Sequence, residues 1–263
     1  MFPEPAVGIR GSAPFDADGS RIRWLDFPGG LPARVFVHGL GSNGMAVFGQ
    51  FMGRPELGGR RSLVVDLPGH GQSDRPGGFS YDLAAHADAV AAAIRSTWLD
   101  GIELVGHSLG GDSAILVAAR HPDLVRRLVI TEANLDPLAP SLTARASQAM
   151  RALPEAEWIA TGLPQLMDEE PGWARTLRLC APHAVHRSAV GLTTMSRPTT
   201  REHFTSMTIP RTFIHGEHGE PLVGVDQLRA AGIRVTTVPA AGHMVMEDNP
   251  EGYLAALVEG LAD

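Results

Sequence analysis

Ser108 stands in the run Gly106-His107-Ser108-Leu109-Gly110, with Gly111 following. Small residues on either side of a serine allow a tight turn that lifts the hydroxyl clear of the backbone. A helix starting at that point turns its positive end towards the oxygen. A serine so placed can attack an electrophilic carbon once a base removes its proton. A histidine available for that task occurs in Ala241-Gly242-His243-Met244. A third run, His38-Gly39-Leu40-Gly41-Ser42, has glycines that let the backbone approach a ligand closely. Acyl transfer needs two N–H donors aimed at the developing oxyanion, and the amides of Leu40 and Leu109 are the natural pair. His38 reads as a residue that holds this loop. Alone, the run from His38 to Ser42 is just as well explained as a turn, and His243 by itself would read as a surface histidine in one.

The elements around these runs decide whether they can meet. Strand patterns cover Arg21–Phe27, 33–38, 62–66 and 102–106, and a helical pattern fills 82–98 with Asp82 as its N-cap. Leu109–Arg120 is a further expected helix, stopped by Pro122, and 126–131 a further strand. Such alternation implies a mostly parallel sheet with helices on both faces. From 136 to 207 no strand pattern occurs, and helical stretches are punctuated by Pro140, Pro154, Pro164, Pro171, Pro182 and Pro198. Alternation resumes with strands at 212–215 and 234–238 and helices at 223–231 and Pro250–Leu261. The reading is one α/β core, 1–135 plus 208–263, interrupted by a helical cap at 136–207, far longer than an ordinary connection. All three chemical runs lie where strands end, so one crevice can gather them.

Bulk properties limit the partners. Hydrophobic residues make up 44% and charged residues 19% of the 263, an ordinary balance for a globular chain. The formal charge of -7, with every basic residue an arginine and none clustered, argues against nucleic acid. The lone Cys180 rules out an internal disulfide framework and a cysteine-built zinc site. Residues 1–15 lack the pattern of a signal peptide, and no apolar run reaches the ~18 residues of a membrane helix. A soluble cytoplasmic protein without membrane contact is expected.

Five motifs in order resemble the α/β-hydrolase superfamily over nearly the whole chain. They are His38-Gly39, Asp66-Leu67-Pro68-Gly69-His70-Gly71-Gln72-Ser73, Gly106-His107-Ser108-Leu109-Gly110-Gly111, His215-Gly216-Glu217 and Gly242-His243. The resemblance implies an eight-stranded, mostly parallel sheet flanked by helices, a helical cap after the sixth strand, and a cofactor-free Ser–acid–His mechanism. In the commonest family pattern the acid is an aspartate after the seventh strand. Here that position is Gly219, which cannot orient an imidazole.

Two glutamates remain as candidates. Glu132 ends the sixth strand, where haloalkane dehalogenases and zearalenone lactonase-like enzymes resemble this chain in carrying their acid. Glu220 lies one residue past the usual place and is restricted by Pro221. Glu132 is preferred, Glu220 is the alternative, and the bland reading of Glu132 is that it pins the cap hinge. Asp66 and the turn after it are expected to shape a loop, and Asp112 to hydrogen-bond a neighbouring loop. Met150, Trp158, Met167, Trp173 and Cys180 in the cap read as packing, and His183 with His186 make a weak case for metal, so no metal is assigned.

The expected activity is hydrolysis of a small-molecule carboxylic ester or lactone with a fairly apolar acyl part, without cofactors. The lactone preference rests on family analogy alone. Alternatives are a C–C bond hydrolase, a thioesterase or acyltransferase, and a slow-turnover ligand receptor.

Overall fold

The computed structural model describes residues 8–136, 142–194, 197–219 and 221–262. Its strands are β1 (Ile9–Pro14), β2 (Arg21–Phe27), β3 (Gly30–Val37), β4 (Arg60–Asp66), β5 (Ile102–His107), β6 (Val125–Thr131), β7 (Arg211–Gly216) and β8 (Ile233–Val238). They form one open sheet in the order β1-β2-β4-β3-β5-β6-β7-β8. The β1–β2 and β2–β4 pairs are antiparallel, and all others are parallel. The expected eight-stranded, mostly parallel sheet is what the chain forms.

Helices on the core are α1 (Gly44–Phe48), α2 (Leu83–Ser96) and α3 (Leu109–Arg120). Between β6 and β7 come α4 (Leu142–Ala152), α5 (Glu155–Glu157), α6 (Leu163–Glu169), α7 (Pro171–Leu177), α8 (Pro182–Leu192) and α9 (Thr200–Ser206), and no strand among the described residues. The chain closes with α10 (Val225–Ala230), α11 (Val245–Asp248) and α12 (Pro250–Leu261).

Strand side chains alternate between the two faces. On β3, Val35 and Val37 join the core under α2 and α3, whereas Phe36 joins the core under α1 and α12. Asp82 caps α2 by accepting from the Ala85 amide at 2.8 Å. The segment expected as helix from 223 begins only at Val225, because Gly224 takes a left-handed φ of 71° and turns the chain before it. β1 carries Gly11, Ser12 and Pro14 on a largely exposed edge, so it lacks the apolar alternation that marks a strand.

The strand order reverses at β3. The chain leaves β3 for β4 on one side, then crosses back through α2 to β5 on the other, so the ends of β3 and β5 flank a switch point. Register carries that level across the sheet: Val37 faces Gly106, His107 faces Thr131, and Thr131 faces Ile214. The residues that follow, His38, Ser108 and Glu132, therefore leave the sheet side by side.

The sheet also buries charge. Arg34 Nε donates to Glu103 Oε2 at 2.9 Å, and Arg127 Nε lies 3.8 Å from Glu103 Oε1, all three residues being buried. Removing the carboxylate leaves the buried Arg34 guanidinium without its ion-pair partner. Glu103→Ala should therefore cost about 3–5 kcal/mol in urea unfolding at pH 7. A loss under about 1 kcal/mol would show that solvent reaches this cluster.

Candidate active site

Ser108 joins β5 to α3 with φ 51° and ψ -125°, a backbone conformation unfavourable for a residue with a Cβ. Its neighbours explain how the turn closes. A Cβ at Gly106 would lie 2.5 Å from the Gly110 carbonyl oxygen, and one at Gly110 would lie 2.3 Å from the Val37 carbonyl oxygen. The two glycines are thus required by contact between the turn, its own helix and the end of β3. The Ser108 carbonyl accepts from the Gly111 and Asp112 amides at 2.7 and 3.0 Å, which starts α3 directly behind the hydroxyl.

The loop after β3 presses on this turn. A Cβ at Gly39 would sit 3.1 Å from Ser108 Cβ. His38 is fully buried and bridges two loops, its Nδ1 donating to the Gly39 carbonyl at 2.7 Å and its Nε2 accepting from the Leu67 amide at 3.0 Å. Burial holds its pKa down to about 4, so the neutral tautomer does this bridging near neutral pH. The Gly39 carbonyl belongs to the same peptide as the Leu40 N–H, so His38 fixes the plane of that donor. The Leu40 amide has no hydrogen-bond partner among the described residues. Leu109 stands in the first turn of α3, where helix geometry provides no acceptor for its N–H. Two uncommitted donors thus border Ser108.

His243 follows β8, and its Nδ1 lies 3.4 Å from Glu132 Oε2. That separation is long for a hydrogen bond. Glu132 leaves β6 at φ 52°, with its side chain 4% exposed. Its other oxygen, Oε1, accepts from the Gly216 amide at 2.8 Å, which aims the carboxylate across the ends of β6 and β7. A Cβ at Gly219 would lie 2.8 Å from Glu132 Oε1, so the glycine clears the space that this carboxylate fills. Glu220, the alternative acid, lies outside the described residues.

Behind these groups, the loop contacts expected of Asp66 and Asp112 are present, whereas the anchor at His107 has no signal in the sequence. His107 Nε2 donates to the His243 carbonyl at 3.1 Å, tying the histidine loop to the residue before Ser108. Burial first, then the neighbouring His243, lowers the His107 pKa to about 3 and keeps this anchor neutral. Position 107 is a family-like element of the serine motif, but nothing in the sequence pairs it with a carbonyl 136 residues away. Asp112 Oδ2 accepts from the Asn134 amide at 3.2 Å, linking α3 to the segment that carries Glu132. Burial pushes the Asp112 carboxyl well above the usual carboxylate range. Asp66 accepts from Gly44 and Gln72 amides, each at 2.8 Å, and so holds the two loops around α1.

Met150, Trp158 and Cys180 are buried in a cluster among the inserted helices, with Met167 packed against it. His186 Nε2 donates to the Leu153 carbonyl at 3.0 Å, while the His183 ring lies 5.6 Å from that of Tyr81. Among the described residues no group of three or more His, Cys, Asp or Glu has metal-binding geometry. No helix of the described residues is long and apolar enough to cross a membrane.

The architecture has known counterparts. The alpha/beta hydrolase family model matches residues 35–256. The chain is 32% identical over 253 residues to 2-(acetamidomethylene)succinate hydrolase of Mesorhizobium japonicum, covering 87% of each chain. It is 28% identical over 269 residues to an sn-1-specific diacylglycerol lipase of Mus musculus, covering 90% of this chain and 83% of that one. The crystal structure of an E-2-(acetamidomethylene)succinate hydrolase superposes with a TM-score of 0.71 at 26% identity, over 97% of this chain and 99% of the other.

Proposed function

The chain belongs to the α/β-hydrolase family, and on that premise we propose that it cleaves a carboxylic ester or lactone through an acyl-enzyme on Ser108. The observation that carries the proposal is the convergence at one switch point of Ser108, the free Leu40 amide, and His243 backed by Glu132. His243 takes the hydroxyl proton through Nε2 as Ser108 Oγ bonds to the carbonyl carbon, and the carbonyl oxygen moves between the Leu40 and Leu109 amides. Collapse expels the alkoxide, which His243 protonates. Water then repeats the sequence on the acyl-enzyme, releasing the acid and restoring Ser108. Glu132 holds Nδ1–H and stabilises the imidazolium formed in each half. The inserted helices, 136–207, serve as the cap over this crevice.

The test is acid release by pH-stat on paired linear esters and lactones, with Ser108→Ala as the blank. A fluorophosphonate should also add one phosphonyl group to the wild type, mapping to Ser108. The likeness to 2-(acetamidomethylene)succinate hydrolase supports a second reading, amide-type cleavage by the same serine, so that compound belongs in the panel. A thioester, a vinylogous diketone and an added alcohol acceptor cover thioesterase, C–C hydrolase and acyltransferase activity. Stoichiometric labelling without turnover of any member would favour a slow ligand receptor and sink the ester and lactone reading.

A further inference from the structure

The Leu40 peptide is held from two sides, and the second side is the helical insertion. Trp173, on α7, donates its indole N–H to the Leu40 carbonyl at 3.3 Å. The same helix closes over the next residue: a Cβ at Gly41 would lie 2.6 Å from both Trp173 Nε1 and Leu177 Cδ2, and Gly41 itself has φ 66°. Just beyond α7, the Cys180 thiol donates to the Ser42 carbonyl at 3.6 Å. Leu40 also bridges two apolar clusters, one under α2 and α3 and one inside the insertion. The loop from 40 to 42 is therefore packed between core and insertion over its whole length.

The two restraints on Leu40 differ in kind. The peptide before it is fixed by His38, which belongs to the core. The peptide after it is fixed by Trp173, which belongs to the insertion. A backbone N–H is useful to an oxyanion only when its direction is set before charge develops. We propose that Trp173 is a positioning residue that couples docking of α7 to assembly of the oxyanion hole. With α7 seated, both peptides around Leu40 are locked and its amide points at the reacting oxygen. With α7 lifted, the hole keeps His38 alone and loses its direction, so turnover depends on the closed form. This inference rests on the Ser108 acyl-enzyme reading.

Trp173→Phe tests it, because phenylalanine keeps the ring packing and removes only the donor. The expected result is a kcat roughly ten- to hundredfold below wild type, the scale of a small misplacement at a reacting centre, with KM within about threefold. Hydrogen exchange should quicken at residues 40–43 and stay unchanged in β4 and β6. Unchanged exchange at 40–43 would overturn the coupling, and so would quickened exchange with wild-type kcat. Gly41→Ala, which wedges a methyl between loop and helix, should give the same pair of effects; a wild-type exchange pattern there would also overturn it. A wild type inert towards every ester and lactone would sink the hydrolase reading, while the exchange data would still decide whether Trp173 restrains the loop.

Discussion

Glu132→Ala should lower kcat by about a thousandfold to ten-thousandfold, the range seen when the acid of such a triad is disabled. Adding Gly219→Asp to that variant should return at least about tenfold of the loss. The first effect follows from geometry. Glu132 has one oxygen on the Gly216 amide and the other 3.4 Å from His243 Nδ1, with only 4% of the side chain exposed. Without it, the imidazole loses the group that sets its tautomer and stabilises its charge. The second effect follows from Gly219, whose missing Cβ would sit 2.8 Å from Glu132 Oε1. The carboxylate reaching over from β6 fills the space into which a side chain from β7 would project. With Glu132 truncated, an aspartate at 219 has that space to itself. With Glu132 present, Gly219→Asp alone should lower kcat, since two carboxylates would crowd one imidazole. Steady-state kinetics on one ester would check all three variants, with Glu220→Gln as the control. A Glu132→Ala enzyme with near wild-type kcat, alongside a crippled Glu220→Gln, would move the acid to Glu220. A double variant no better than Glu132→Ala would show that position 219 does not face His243.

How far the sequence could be read depended on the range of each interaction. Local patterns placed Arg21–Phe27, Leu109–Arg120 and Pro250–Leu261 at their observed bounds, because apolar period and caps are written within a few neighbouring residues. The edge strand β1 was hidden, since its pairing with β2 lies in backbone bonds that its residues do not announce. At the site, the turn glycines around Ser108 were legible as a type of turn. That Gly110 must yield to the end of β3 was not, because that contact joins positions over 70 residues apart. Gly219 reads in sequence only as a missing acid. In three dimensions it is the clearance for Glu132, a relation that exists only once β6 and β7 are side by side. Likewise Trp173, read as packing, carries a hydrogen bond to a loop 133 residues earlier that no periodicity could signal.

A second large effect is expected from acid rather than mutation: the free energy of unfolding should fall steeply as pH drops below about 6.5. Four buried histidines set the sign. His38, His70 and His86 form a chain of rings with centroids 5.4 and 6.2 Å apart, and His86 Nε2 meets the Ser188 hydroxyl of α8 at 2.8 Å. His107 lies against His243 at 5.0 Å. Burial is the main cause that lowers their pKa, to about 4 for His38, about 3 for His70 and His107, and well below the ordinary value for His86. In the unfolded chain each protonates near the ordinary value of about 6.5. Between about 6.5 and the folded values the unfolded state therefore binds more protons, so stability rises with pH and is lost as pH falls. Each imidazole contributes up to about 1.4 kcal/mol per pH unit within that window. Opposing them, Asp112, Asp66 and Glu247 have raised values, again mainly from burial, and favour the folded state as pH falls towards the ordinary carboxylate range. The imidazoles outnumber these carboxyls. Against a typical domain stability of about 5–15 kcal/mol, the balance predicts acid unfolding near pH 5. Urea titrations at pH 7.5, 6.5, 5.5 and 5 would measure the slope, and His70→Gln should flatten it by about 1.4 kcal/mol per pH unit. A stability constant from pH 7.5 to 5 would mean that water reaches these rings and that their burial does not hold them neutral.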